Sequence, residues 1–123
     1  MNLPKVLVVD DDPDMAAICS LVLESEGYAT DVASNGAEAY DTLTSEDVDV
    51  VLLDVMMPVL DGISVCKMVK RDPRTQDLPV ILMSASEMLR EEAKKCCADA
   101  VIEKPFDIDV LLDTVGRLAA TAS

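Results

Sequence analysis

Short apolar runs alternate with stretches in which apolar residues recur every three or four positions. Lys5-Val6-Leu7-Val8-Val9 is the first run, and it ends at Asp10-Asp11-Asp12. From Pro13 to Glu26, Met15, Ile18 and Val22 fall at helical spacing, and Gly27 supplies a stop. Tyr28 to Ala33 predicts a second strand. Asn35, with Glu38 three residues later, predicts a capping box that opens a helix to about Ser45, with Ala39 and Leu43 inward. Val48-Asp49-Val50-Val51-Leu52-Leu53 is a third strand ending at Asp54, followed by a Pro-containing loop from Val55 to Leu60.

The second half repeats the alternation. A helix is predicted from about Asp61 to Arg71, stopped by Asp72-Pro73. Val80-Ile81-Leu82-Met83 is a fourth strand ending at Ser84. Ser86 to Cys97 predicts a helix with Glu91 and Lys95 as an i,i+4 ion pair. Ala100-Val101-Ile102 is a short fifth strand ending at Lys104-Pro105, and Asp107 caps a last helix striped by Leu111, Val115 and Leu118. Five β–α units in strict alternation imply an α/β fold with a parallel sheet covered on both faces. The near-continuous Val/Leu/Ile strands fit burial on both sides.

Composition changes this picture little. The 123 residues suit one domain, 1–123, in which 118–123 reads as a frayed tail or a truncation point. Half the residues are hydrophobic, but Tyr28, Tyr40 and Phe106 are the only aromatics, so aliphatic side chains must fill the core. The methionines Met15, Met56, Met57, Met68, Met83 and Met88 read as packing. No apolar run is long enough for a membrane span, and the N-terminus lacks the shape of a signal peptide, so a cytoplasmic location is expected.

Charge and cysteines narrow the chemistry. Net charge is −14; residues 1–62 hold 14 acids and one base, residues 63–123 hold 10 acids and nine bases. An acidic front half repels nucleic acid and anionic lipid and suits a metal cation or a basic protein partner. With no His and no C-x-x-C pair, a zinc site or a Cys–His nucleophile is excluded in practice. Cys19, Cys66, Cys96 and Cys97 read as small hydrophobes.

Polar residues cluster at the carboxyl ends of the strands: Asp10, Asp11 and Asp12 after the first, Asp54 after the third, Ser84 after the fourth, Lys104 after the fifth. In open α/β sheets that edge binds ligands where the strand order reverses. Carboxylates brought together there repel unless a cation joins them. An all-oxygen donor set favours a hard ion, Mg²⁺ or Mn²⁺. An aspartate can act as the nucleophile that accepts a phosphoryl group, Lys104 can neutralise developing charge, and Ser84 can donate to a phosphoryl oxygen. Asp12, before Pro13, reads instead as the cap of the first helix, and Asp61-Gly62 as a turn and helix start.

Over essentially the whole chain the sequence resembles the response-regulator receiver domain of two-component signalling, the CheY-like family. Four segments carry the resemblance: Val8-Val9-Asp10-Asp11-Asp12, Leu53-Asp54-Val55-Met56-Met57-Pro58 with Asp61-Gly62, Pro79-Val80-Ile81-Leu82-Met83-Ser84-Ala85, and Lys104-Pro105-Phe106. It implies a flavodoxin-like (βα)5 sandwich with strand order 2-1-3-4-5. Asp54 would be the phosphoacceptor, with Mg²⁺ held by Asp10, Asp11, Asp54 and the main-chain carbonyl of Met56. Ser84 would turn toward the phosphate, Lys104 would be its ion partner, and the Lys104–Pro105 bond would be cis. Met56 and Ser86 would flank the site and tune phosphate lifetime.

The resemblance further implies a sensor histidine kinase or phosphotransfer protein as donor, and an effector protein or domain on the face of the fourth helix, fifth strand and fifth helix. Dimerisation on phosphorylation is among the outputs it admits; direct nucleic-acid or membrane binding by this domain is not. The domain would catalyse only its own phosphorylation and dephosphorylation. Two positions depart from the family pattern: Val101 stands where an aromatic is usual, and Cys97-Ala98 where Gly-Ala is common. Val101 alone favours a rival reading, an interaction module that works without phosphate. A phosphohydrolase would want a second carboxylate where Met56 stands, and a flavodoxin would want flavin-stacking aromatics.

Overall fold

The computed structural model describes residues 3–57, 60–96 and 98–121. Five strands, β1 (Lys5–Val9), β2 (Ala29–Ala33), β3 (Val50–Asp54), β4 (Val80–Ser84) and β5 (Ala100–Glu103), alternate with five helices. These are α1 (Pro13–Ser25), α2 (Gly36–Ser45), α3 (Gly62–Arg71), α4 (Glu87–Lys95) and α5 (Ile108–Thr121). All strand pairs are parallel, in the expected order β2-β1-β3-β4-β5.

Alternation along each strand builds two cores. Leu7, Val9, Val51, Leu53, Val80 and Leu82 face Ala39 and Leu43 of α2, Val65, Cys66 and Val69 of α3, and Ala93 of α4. Val6, Val8, Val50, Leu52, Ile81, Met83 and Ile102 face Ala16, Cys19 and Leu23 of α1 and Leu111 and Val115 of α5. A period-2 strand with both faces covered is apolar at every position short of its ends, which is why β1, β3 and β4 read as unbroken runs.

The helix ends follow local chemistry. Asp12 accepts from the N–H groups of Asp14 and Met15, and Asp107 from those of Asp109 and Val110. Gly27 takes φ +92° after α1, a conformation that favours glycine. Asn35 caps Glu38 N–H at 2.9 Å, but the Glu38 carboxylate accepts from the Ser34 hydroxyl at 3.2 Å, so the reciprocal half of the expected box is replaced.

Several sequence expectations are corrected. In α1 the buried positions are Ala16, Cys19, Ser20 and Leu23, while Ile18 is half exposed. The helix carries apolar residues all round, so its stripe can be read in neighbouring registers, and the small side chains won the close approach to the sheet. Strand β3 begins at Val50, because Asp49 turns its carboxylate onto the Lys5 N–H at 2.7 Å. Strand β5 extends to Glu103, and α4 ends at Lys95. Glu91 pairs with Lys94, at i,i+3 and 3.6 Å, instead of Lys95. Met56 and Met88 are exposed at 63% and 76%, so they do not serve as packing. Pro58, Cys97 and the end of the 118–123 tail lie outside the described residues. Among the described residues no helix is long and apolar enough to cross a membrane.

A candidate acidic phosphoryl site at the switch point

Strands β1 and β3 are neighbours whose chains leave in opposite directions along the sheet, so a crevice opens past their carboxyl ends. Val9 pairs with Leu53, which brings Asp10 and Asp54 to its two lips. The carboxylates of Asp10, Asp11 and Asp54 each offer an oxygen within 4.8 Å of the others. Asp10 and Asp54 are buried, at 2% and 5% exposure, whereas Asp11 is exposed.

Lys104, just past β5, reaches across to both buried acids, with Nζ 2.9 Å from Asp10 Oδ2 and 3.2 Å from Asp54 Oδ2. The remaining oxygens take main-chain donors: Asp12 N–H bonds Asp10 Oδ1 at 3.0 Å, and Met56 N–H bonds Asp54 Oδ1 at 3.3 Å. The Lys104–Pro105 bond is cis. Three carboxylates against one ammonium leave negative charge in excess, held in a partly desolvated place. Burial raises the Asp54 carboxyl above its ordinary value; Lys104 opposes that and Asp10 reinforces it. Burial also pulls Lys104 down, but its hydrogen bond to Asp10 and the charges of Asp54 and Asp10 prevail, and its value ends raised. The field of Asp10 reaches the core below: burial, with Asp10 adding and Lys104 opposing, pushes the Cys19 thiol up to about 11.

Ser84 is fully buried at the end of β4, but its hydroxyl is engaged elsewhere: it donates to the Ser86 carbonyl at 3.2 Å and accepts from Ser86 N–H at 3.1 Å. Asp10, Asp11, Asp54 and Lys104 thus come together, with the Met56 backbone beside them, while the Ser84 hydroxyl is held on the first turn of α4. Val101 is half buried and packs into the core under α3 and α4. Ser86 caps α4 through Leu89 N–H. A concavity of about 820 Å³ between Lys5, Asp49, Arg74 and Pro79 lies at the opposite end of the sheet. A groove of about 350 Å³, lined by Asp10, Asp11, Pro13, Ala16, Ala17, Val32 and Ser34, adjoins the acids. A small ion and a phosphoryl group need no larger cavity, so chemistry and not volume marks the site.

Two glycines acquire a role the sequence reading did not give them. A Cβ on Gly62 would run into the Asp54 carbonyl oxygen and come within 2.9 Å of Val55 Cα. One on Gly36 would meet Leu60 O and Val65 Cγ2, both at 2.7 Å. Gly62 N–H also bonds Val55 O at 3.0 Å, so the chain folds back directly onto the acidic strand end. Gly62→Ala is therefore expected to destabilise the protein by about 1–3 kcal/mol, because rigid backbone must move aside. Urea unfolding reads the loss.

The match with known proteins agrees with this architecture. The 2-1-3-4-5 sheet makes this a doubly wound α/β domain, a class that binds ligands in the crevice at the switch point. The chain belongs to the response regulator receiver domain family of two-component signalling, whose family model matches residues 6–116. It is 39% identical to sporulation initiation phosphotransferase F of Bacillus subtilis over 115 residues, which cover 92% of this chain and 91% of that one. Among solved structures it is similar to the Francisella response regulator 1452 receiver domain, with TM-score 0.89 and 38% identity over 98% of this chain and 99% of that one. It is also similar to the response regulator TrrA of Thermotoga maritima, solved in complex with Mg²⁺ and beryllofluoride, with TM-score 0.87 and 33% identity over 94% of this chain and 99% of that one. The chain spans about half the length of the first curated relatives it matches, at 49% and 47%.

Proposed function

We propose that Asp54 is the phosphoacceptor of a signalling switch, and that Asp10, Asp11, Asp54 and the Met56 carbonyl hold the divalent cation it needs, Mg²⁺ or Mn²⁺. The observation that carries the reading is the meeting of three carboxylates and one lysine at the switch point. The donor set fits the ion: it is all oxygen, too negative to be stable alone, and partly open to water through Asp11. When bound, the ion supplies charge neutralisation for phosphoryl oxygens.

The chain's own residues account for the rest. An Asp54 carboxylate oxygen attacks the phosphorus of a phosphohistidine; the new O–P bond forms as the P–N bond breaks, and the imidazole leaves with the electron pair. Lys104 counters the charge on the transferred group, and the Ser84 hydroxyl, once released from Ser86, donates to one of its oxygens. Attack of water on the same phosphorus later releases phosphate and restores Asp54. The donor is a sensor histidine kinase or a phosphotransfer protein of the cytoplasm. The protein turns over only its own side chain and is a switch, not an enzyme with an external substrate. An effector protein or domain reads the α4–β5–α5 face, with dimerisation as one output.

Intact mass after incubation with Mg²⁺ and a small phosphodonor tests the proposal. One phosphoryl group should be gained, lost when EDTA replaces the metal, and mapped to Asp54 by peptide sequencing after borohydride reduction. No gain would overturn the assignment and favour a phosphate-independent module; a label on another residue would overturn Asp54 as the acceptor.

A further inference from the structure

Helix α4 has little apolar attachment. Ala93 is its one buried residue, Leu89 is half buried and Met88 is exposed. Such a helix opens easily unless polar bonds hold it. Arg90 supplies them. Its Nη1 donates to the Ser84 carbonyl oxygen at 3.3 Å, which also accepts from Lys104 N–H at 2.9 Å. Its Nη2 lies 3.8 Å from Glu103 Oε1. The Arg90 side chain is 18% exposed and that of Glu103 70%, so the bond to Ser84 is the interior contact and the ion pair the weaker, solvated one.

Arg90 also donates its own N–H to the Ser86 carbonyl at 2.9 Å, the same oxygen that takes the Ser84 hydroxyl. Main chain and side chain of one residue thus grip both ends of the loop in which the hydroxyl is held. A serine hydroxyl has one proton, so donating toward Asp54 means leaving the Ser86 carbonyl.

Resting on the phosphoacceptor reading above, we propose that Arg90 is a positioning residue that fixes Ser84 and the first turn of α4 in the arrangement with the hydroxyl turned onto Ser86. Weakening that grip makes the alternative arrangement more populated, and a phosphoryl group on Asp54 that recruits the hydroxyl must loosen α4 in turn. A ligand selecting the second arrangement gains apparent affinity in proportion to its population.

The test uses beryllofluoride with Mg²⁺ as the phosphoryl probe, titrated against wild type, Arg90→Met, Arg90→Lys and, as a surface control on the same helix, Glu92→Gln. Hydrogen exchange of the α4 amides is followed with and without the probe. Arg90→Met is expected to bind beryllofluoride about 3- to 10-fold more tightly, as loss of one hydrogen bond from the competing arrangement implies. Its α4 amides should already exchange faster without probe. Arg90→Lys keeps the charge but not the fork of donors, and should fall between; it also serves if Arg90→Met folds poorly. Unchanged or weaker binding in both Arg90 variants, beside a wild type that binds, would overturn the inference alone. Wild type that binds no beryllofluoride would overturn the phosphoacceptor reading and this inference with it.

Discussion

Asp54→Asn protein is expected to take up no phosphoryl group from a small phosphodonor and, free of metal, to unfold at a higher temperature than the wild type at pH 7. The first effect follows from removing the nucleophilic oxygen, since an amide at that place has no comparable charge to offer. The second follows from burial. The folded protein holds the Asp54 carboxyl above its ordinary value, chiefly by desolvation, with the neighbouring Asp10 adding to it and Lys104 opposing. Between the unfolded value, about 3.9, and the raised folded one, the folded state binds more protons than the unfolded. Stability contributed by this group therefore falls as pH rises through that window, and the cost is complete above the folded value. Asparagine mimics the protonated acid and escapes the cost. Thermal melts in EDTA should show the variant ahead at pH 7 and the gap closing as pH approaches 4. A variant that labels fully, or is less stable than wild type at pH 7, would count against Asp54 as the strained acceptor.

Lys104→Met is expected to have the opposite effect on stability. Its Nζ is the cation shared by two buried acids, at 2.9 and 3.2 Å. Taking one partner from a buried ionic cluster leaves uncompensated charge and costs about 3–5 kcal/mol. Because the folded Lys104 value is raised, the stabilisation from pairing is present throughout the neutral range and is lost only as pH climbs through that raised value. Mg²⁺ should return part of the loss, since a cation that binds only the folded state stabilises it by mass action. Adding Asp54→Asn to Lys104→Met should also relieve it, giving a double variant more stable than Lys104→Met alone. Denaturant unfolding of the four proteins with and without Mg²⁺ reads all of this; a gain from Asp54→Asn no larger beside Lys104→Met than in the wild type would show that the charges do not act as one cluster.

Strand ends and helix starts were legible in the sequence wherever local chemistry decides them. Asp12, Asp61 and Asp107 cap the helices that follow them, because the bonds involved span only two or three residues. The apolar runs of β1, β3 and β4 were equally plain, since strands buried on both faces keep polar residues to their ends. Less was legible where apolar residues surround a helix. In α1 the pattern admitted Ile18 as a core residue, yet Ala16, Cys19 and Leu23 face the sheet. Distance from β1 chose among registers that the sequence left nearly equivalent.

The candidate site divides in the same way. Which residues are candidates for its chemistry was legible in the sequence: oxygen donors without His, an aspartate after a buried strand, a lysine after another, in an order shared with a family. How they stand was decided by tertiary structure. Asp10 and Lys104 are 94 residues apart and meet at 2.9 Å only because β1 and β5 end at one edge of the sheet. Gly62 reads locally as a helix start, and its closeness to the Asp54 carbonyl arises from the return of the chain after β3. The Ser84 hydroxyl rests on Ser86, and the Arg90 guanidinium on Ser84, because α4 packs where it does. Short-range hydrogen bonding and burial periodicity are written into neighbouring residues. Long-range contacts depend on the crossing of whole elements, and no local pattern contains them.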